Sequence, residues 1–465
     1  MIRRIVLCLL VAGGVWTVGW SAAEPAIDFK TSVGPVKPVN GVGQPPTLGW
    51  SDASLYHYLA EAGIPYSRLH DVGGAYGRGI FVDIPNVFRD FAADENDPKS
   101  YDFAFTDDLL KSLVKNGIEP YYRLGVTIEN AAECGFPAYR IHPPADYAKW
   151  ARICEHVIRH YTEGWANGFK MKISYWEIWN EPDNNPDANR NPMWRASFAD
   201  YIRLYGVVAP YLKAKFPHLK IGGYGSCGFY AGVGSGHVAA ANSSPRMEHF
   251  VDCARQFLAA TRDNKWPLDF FSYHSYSEPA EALRQVRFVD GLLNEFGFTR
   301  ERTERHFNEW LPFVGHENLG TARQAAGIAA ELIGLQNGPC DLACIYDARC
   351  GVGNYSPLFN CLTYKPHKAY YVFKAFNALR RLGTSVKVTG SADASGGKSL
   401  WITAATDGKG GKAVLVANIS DGSLPLPAVL RDGAFKVRAI DAEHNFDEVA
   451  CPEMIGKDTV LLFER

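Results

Sequence analysis

The sequence predicts an α/β protein: a (β/α)8 TIM barrel with a smaller C-terminal antiparallel β-sandwich domain. Three observations lead there. Short runs rich in β-branched and aromatic residues alternate with amphipathic helical stretches from residue 36 to about 380. The alternation repeats eight times, which fits a closed parallel barrel better than an open sheet. From 381 to 465 no helical period is visible, and short strand-like runs are separated by turns rich in Gly, Ser and Asp.

Residues 1–23 carry the pattern of an export signal. Arg3 and Arg4 are followed by the apolar run Ile5–Val18 and by Ser21-Ala22-Ala23. The expected destination is secreted or periplasmic. No later segment approaches ~18 continuous apolar residues, so no integral membrane span is expected after signal removal. Residues 24–35 hold a strand-like piece that can join the C-terminal domain. The barrel strands are then expected at 35–42, 65–71, 119–125, 175–179, 219–224, 268–274, 306–310 and 342–347. Helices are expected at 52–62, 105–116, 146–161, 198–215, 247–261, 280–296, 321–337 and 368–382.

Composition excludes some partners. The formal net charge is −2 and no long basic run occurs, so nucleic acid has no electrostatic footprint here. Aromatic residues make up 13% of the chain, and Trp and Tyr supply the flat apolar faces on which sugar rings stack. Cys340, Cys344, Cys350 and Cys361 cluster late in the chain. An exported protein permits bridges among them, whereas the spacing lacks the paired CxxC of a zinc site. No metal and no cofactor is expected.

The chemistry centres on Tyr175-Trp176-Glu177-Ile178-Trp179-Asn180-Glu181-Pro182-Asp183, a buried strand that presents Asn180 and Glu181 at its C-terminal tip. Active sites of such barrels lie at that rim. A second carboxylate, Glu309, closes the seventh strand between Asn308 and Trp310. Cleavage of a glycosidic bond needs two carboxyl groups, one to protonate the leaving oxygen and one to attack or stabilise the anomeric carbon. A gap of about 5–5.5 Å gives retention, and about 6.5–9.5 Å gives inversion. Glu181 is expected to be the protonated partner, with Trp179 helping to supply an apolar surround. Arg68 and His70 end strand two, and His274 and Tyr276 end strand six. With Asn180 and Trp310 they are the candidate substrate-binding residues. Glu177, mid-strand, reads as a structural ion-pair partner for Arg68 or Arg123.

These residues resemble glycoside hydrolase family 39, which holds β-xylosidases and α-L-iduronidases. Trp179-Asn180-Glu181-Pro182 resembles its acid/base motif, Arg68-Leu69-His70 its strand-two motif, and Ser272-Tyr273-His274-Ser275-Tyr276 its strand-six motif. Phe307-Asn308-Glu309-Trp310 resembles its nucleophile strand. Lys365-Pro366-His367-Lys368-Ala369-Tyr370-Tyr371 resembles the start of its final barrel helix. The resemblance implies a retaining glycosidase acting on oligosaccharides or glycosides, β-xylosidase-like, with Glu181 as acid/base and Glu309 as nucleophile. It departs at strand eight, where Ile345, Tyr346 and Asp347 stand in a region that often ends in Trp. The alternatives are the same mechanism on α-L-iduronide, β-galactoside or an arabinose-containing glycan, or a barrel that binds carbohydrate without turnover.

Overall fold

A computed structural model describes residues 25–48, 55–72, 82–128, 139–233, 244–351, 353–396 and 399–465. The signal-like segment 1–23 lies outside these residues. Strand β1 (Ala26–Pro35) precedes the barrel. Strands β2 (Gly41–Gly43), β3 (Tyr66–Leu69), β4 (Glu119–Leu124), β5 (Tyr175–Ile178), β6 (Lys220–Ser226), β7 (Phe270–Ser275), β8 (Glu304–Trp310) and β9 (Leu342–Ile345) form a closed barrel. Every neighbouring pair is parallel, and β9 closes on β2.

Eight helices follow the strands: α1 (Tyr56–Glu61), α2 (Ala104–Lys115), α3 (Tyr147–Thr162), α4 (Phe198–Lys215), α5 (Pro245–Asp263), α6 (Pro279–Glu295), α7 (Ala322–Asn337) and α8 (Lys368–Leu382). Their starts are written in the sequence. Asp146, Ser197, Ser244 and Thr321 each accept a hydrogen bond from the backbone N–H three residues on. That satisfies one donor a helix start would otherwise leave open. No helix among the described residues is long and apolar enough to cross a membrane.

Strand alternation sorts the barrel interior into layers. The lower layer is aromatic: Tyr121 stacks on Tyr175 with centroids 5.4 Å apart, and Phe270 stacks on His306 at 4.6 Å. Two residues further along each strand, the next layer is polar, with Arg68, Glu177, Ser272 and Asn308 all fully buried. A register slip then breaks the alternation: Tyr273 pairs with Phe307, but His274 pairs with Glu309. The extra residue in β8 is a bulge. It lets the consecutive Asn308 and Glu309 both serve the interior and turns Trp310 the other way.

The C-terminal residues form a seven-stranded antiparallel sheet in the order β1-β10-β11-β12-β17-β14-β15, with β10 at Thr384–Thr389, β11 at Trp401–Thr406, β12 at Lys412–Asn418, β14 at Lys436–Ile440, β15 at Asn445–Val449 and β17 at Thr459–Glu464. Its strands alternate between two cores. Trp401, Leu415, Ala417 and Leu462 pack into the main core with α7 and α8. Val414, Val416, Val437 and Phe463 form a second core with Ile455 of the small β13–β16 pair (Leu424–Pro425 with Met454–Ile455) and with Leu426 just after β13. The expected pairing of the N-terminal piece is present: β1 lies antiparallel to β10. The eight described cysteines are free thiols. Cys340 and Cys344 are buried in the barrel, while Cys350 and Cys361 sit on the loop after β9.

Candidate active site

The tip of β5 is bent by two residues in the left-handed region, Trp179 (φ 73°) and Glu181 (φ 45°), on either side of Asn180. Such conformations cost roughly 1–3 kcal/mol each and persist only when surroundings fix them. Here they do. The Trp179 N–H donates to Leu124 O at 2.7 Å and the Glu181 N–H to Gly225 O at 2.9 Å. The Trp179 indole donates to Met193 O at 2.9 Å and packs edge-on against Trp194 at 4.8 Å. Gly225 must be glycine: its φ is +65°, and a Cβ there would meet the Asn180 amide oxygen at 3.2 Å and the His274 ring at 3.3 Å.

Arg68, fully buried, ties three strand ends together. Its Nε donates to Glu177 at 2.7 Å, one terminal nitrogen to Glu309 Oε1 at 2.7 Å, and the other to the Asn180 side-chain oxygen at 2.5 Å. Glu177 also accepts from Ser272 Oγ at 2.6 Å and Asn308 Nδ2 at 2.7 Å. Burial works against the ionised form of Glu177, but Arg68 and these donors outweigh it and hold the carboxyl below its usual range. Arg123 is not the partner of Glu177; it pairs with Asp83 at 2.5 Å.

Above this layer, Glu181, His274 and Glu309 converge. One oxygen of each carboxylate and a ring nitrogen of His274 lie within 4.8 Å of one another. His274 Nδ1 is 2.8 Å from Glu181 Oε1 and 3.5 Å from Glu309 Oε2. The Tyr276 hydroxyl donates to Glu309 Oε2 at 2.7 Å, and the Tyr276 N–H is held by the Tyr230 hydroxyl at 3.0 Å. His70 lies 3.7 Å from Glu309 Oε1 and 3.3 Å from Asp71. Burial, with Arg123 and Arg68 nearby, pushes the His70 imidazole well below its ordinary pKa, so it stands neutral.

The trio could offer ligands to a divalent ion. The positive charge such an ion would supply is already in place, because Arg68 sits on Glu309 and His274 on Glu181. The arrangement suits organic chemistry between two carboxylates.

The profile of Glycosyl hydrolases family 39 matches residues 41–294 of this chain, taking in β2 to β7 and Glu181. The chain belongs to this family. A β-xylosidase of Geobacillus stearothermophilus is 27% identical over 209 residues, 44% of this chain and 36% of the relative. The match therefore spans little more than a third of that relative's length. Among solved structures, the fold is similar to a glucosidase from Croceicoccus marinus (TM-score 0.69, 18% identity, covering 95% of this chain and 98% of that one). It is also similar to a family 39 β-xylosidase from Caulobacter crescentus (TM-score 0.63, 17% identity, covering 95% and 99%).

Two expectations for this family 39 site need correction. Trp310 offers no face to the mouth: its ring is fully buried and stacks on Phe307 at 6.5 Å, because the β8 bulge turns it outward into the core. Trp179 likewise packs away into Trp194 and does not shield Glu181. Burial pushes the Glu181 carboxyl up, but the hydrogen bond and charge of His274, with donors from Asn184 and Cys227, outweigh it and hold the carboxyl below its ordinary range. Burial opposes charge on His274 too, yet Glu309 and Glu181 raise its pKa. In the free protein the proton of this couple thus rests on His274 rather than on Glu181.

Several site residues were not read from the sequence. The Asn184 side-chain amide donates to Glu181 Oε2 at 2.8 Å, and Arg246 fixes Asn184 by donating to its carbonyl at 2.8 Å. Asp183, pushed up to about 7 by burial, accepts from Ser226 at 2.7 Å behind Glu181. Tyr346 accepts from Gln44 at 2.9 Å and donates to Asp71. Asn184 lies three residues past the motif and could have been found from it. The other contacts join distant strands and have no local signal.

Removing Arg68 strands Glu177 in a dry layer. Arg68→Met is expected to destabilise the fold by about 3–5 kcal/mol in denaturant unfolding, with partial recovery when Glu177→Gln is added. An unchanged midpoint in Arg68→Met would contradict the network.

Proposed function

We propose that the chain is an exported retaining glycoside hydrolase that removes terminal sugars from oligosaccharides, β-xylosidase-like, with Glu181 as acid/base and Glu309 as nucleophile. The observation that carries this reading is the approach of the two carboxylates to within 4.8 Å at the C-terminal rim, beside His274. One oxygen of each carboxylate within 4.8 Å of the other supports the short separation of a retaining pair over the longer one of an inverting pair.

The steps follow from the contacts. A Glu309 oxygen attacks the anomeric carbon as the glycosidic C–O bond breaks. The proton shared by His274 and Glu181 passes through Glu181 to the leaving oxygen. Glu309, now an ester, has lost its negative charge, and with it the largest attraction holding the proton on His274. That loss favours the proton's departure to the leaving oxygen, and the emptied couple takes a proton from the water as it attacks. Water attacks the same carbon, the ester bond breaks, and Glu309 is restored. Arg68 stays on Glu309 and Asn180 throughout, which keeps both aimed at one point.

The curated β-xylosidase relative supports the xyloside assignment. The strand-eight end, Tyr346-Asp347, supports a second reading, in which the same mechanism serves another sugar such as a β-galactoside, an α-L-iduronide or an arabinose-containing glycan. Export rests on the charged, apolar and small-residue pattern of residues 3–23.

With aryl β-xyloside, Glu309→Ala should lose about 10⁴-fold or more in kcat. Azide should restore turnover and yield a glycosyl azide of inverted configuration. Glu181→Ala with azide should instead yield the retained azide from a substrate with a good leaving group. Full activity in Glu309→Ala would sink the assignment.

Below the raised pKa of His274 the couple holds a proton it can deliver; above it the couple is empty. The alkaline limb of kcat/KM is therefore expected above pH 6.5, the ordinary histidine value, and should move in His274→Gln. The same ion pair contributes stability that is lost as pH rises through the raised His274 pKa, and lost again as pH falls through the lowered Glu181 pKa. A limb unmoved in His274→Gln would assign it to another group.

A further inference from the structure

On the strand-eight side of the mouth, Tyr346 and Tyr355 join Tyr276 of the strand-six motif. Three rings meet there. Tyr276 and Tyr355 have centroids 5.2 Å apart at 69°, Tyr346 and Tyr355 are 5.6 Å apart at 76°, and Tyr276 and Tyr346 are 6.0 Å apart at 85°. The three have different tasks. Tyr276 is spent on Glu309, and the buried hydroxyl of Tyr346 is spent on Asp71 and Gln44. Tyr355 is only partly buried, and its hydroxyl meets no hydrogen-bond partner among the described residues.

The loop that presents Tyr355 is anchored from below. The Asp347 N–H donates to Tyr355 O at 2.7 Å. The Asp347 carboxylate accepts from the Arg349 N–H at 2.9 Å and from Ser356 Oγ at 3.4 Å, one residue beyond Tyr355. Asp347 itself lies two residues past β9 and is fully buried. A partly exposed aromatic face on a hydrogen-bonded stem, set edge-on to the ring that touches Glu309, is what a pyranose needs as a wall. Its C–H face stacks on the ring while its hydroxyls find donors and acceptors around it. Burial, and then Glu181 and Glu309, push the Tyr355 phenol up, which places it in the field of both carboxylates and keeps its proton available for donation.

We propose that Tyr355 is a substrate-contacting specificity residue: its ring walls the sugar subsite beside Glu309, and its free hydroxyl donates to a sugar oxygen. This rests on the glycosidase reading for the identity of the ligand as a neutral pyranose. The loop after strand eight then sets which sugar is accepted.

The test separates binding from turnover. Calorimetry with D-xylose and D-glucose is run on the full chain and on Tyr355→Phe, Tyr355→Leu and Tyr355→Ala, each checked for an unchanged melting temperature. The better-bound sugar should lose about tenfold in affinity in Tyr355→Ala and Tyr355→Leu, and stay within about threefold in Tyr355→Phe, which keeps the ring. On an aryl glycoside the loss should fall on KM and leave kcat within about threefold. Tyr355→Leu fills most of the volume without an aromatic face, so equal binding by the unaltered chain and Tyr355→Leu would overturn the proposal. So would a chain that binds neither sugar. Sugar binding that depends on Tyr355, with no hydrolysis of any glycoside, would instead overturn the glycosidase reading and leave this inference standing.

Discussion

The site depends on one buried cation. Arg68 reaches from the second barrel strand to Glu177 and Asn180 on the fourth and to Glu309 on the seventh. A guanidinium in a dry interior is tolerated only when its donors are met, and its fork is rigid enough to fix what it meets. The strand that leads to Glu181 and the strand that carries Glu309 are therefore registered against each other through one residue. The charges explain why that register suits glycoside chemistry. Arg68 and a protonated His274 face Glu177, Glu181 and Glu309, so two cations stand against three carboxylates. The surplus is negative, in a water-poor pocket where a cationic, oxocarbenium-like transition state would form.

Beneath that network lies a floor of aromatic rings, and behind it the C-terminal sheet. The sheet packs its Trp401–Leu415–Leu462 face into the core shared with α7 and α8. α7 follows the strand that carries Glu309, and α8 follows the strand that ends at the tyrosine wall. The accessory sheet thus braces the helices on the Glu309 side of the barrel. The opposing strand ends, at Glu181, are braced by Trp179 packing on Trp194 and Trp150.

What was legible in the sequence follows from which signals are local. Eight strands and eight helices could be placed because each carries its own period, and four of the helices also carry a cap, as Ser197, Ser244 and Thr321 show. Glu181 and Glu309 could be named because both end strands at one rim, and Glu177 with Arg68 because a charge in mid-strand needs a partner. The bulge in β8 was not legible, since nothing in Phe307-Asn308-Glu309-Trp310 announces an extra residue. Trp310, expected among the substrate-binding residues, is core because of that bulge. The pairing of His274 with Glu181, and of Tyr346 with Asp71, joins strands far apart in the chain. Contacts of that kind come from the closed barrel, and they changed the view of Glu181 from a shielded acid to one half of a proton-sharing couple.

The account stands on Glu309 forming a bond to sugar. A 2-deoxy-2-fluoro aryl xyloside, which slows the second step more than the first, should inactivate the protein with loss of one equivalent of phenol. Mass spectrometry of the digested protein should place the fluorosugar on Glu309. A label on Glu181 or elsewhere, or hydrolysis of an unmodified xyloside with inversion at the anomeric carbon, would contradict it.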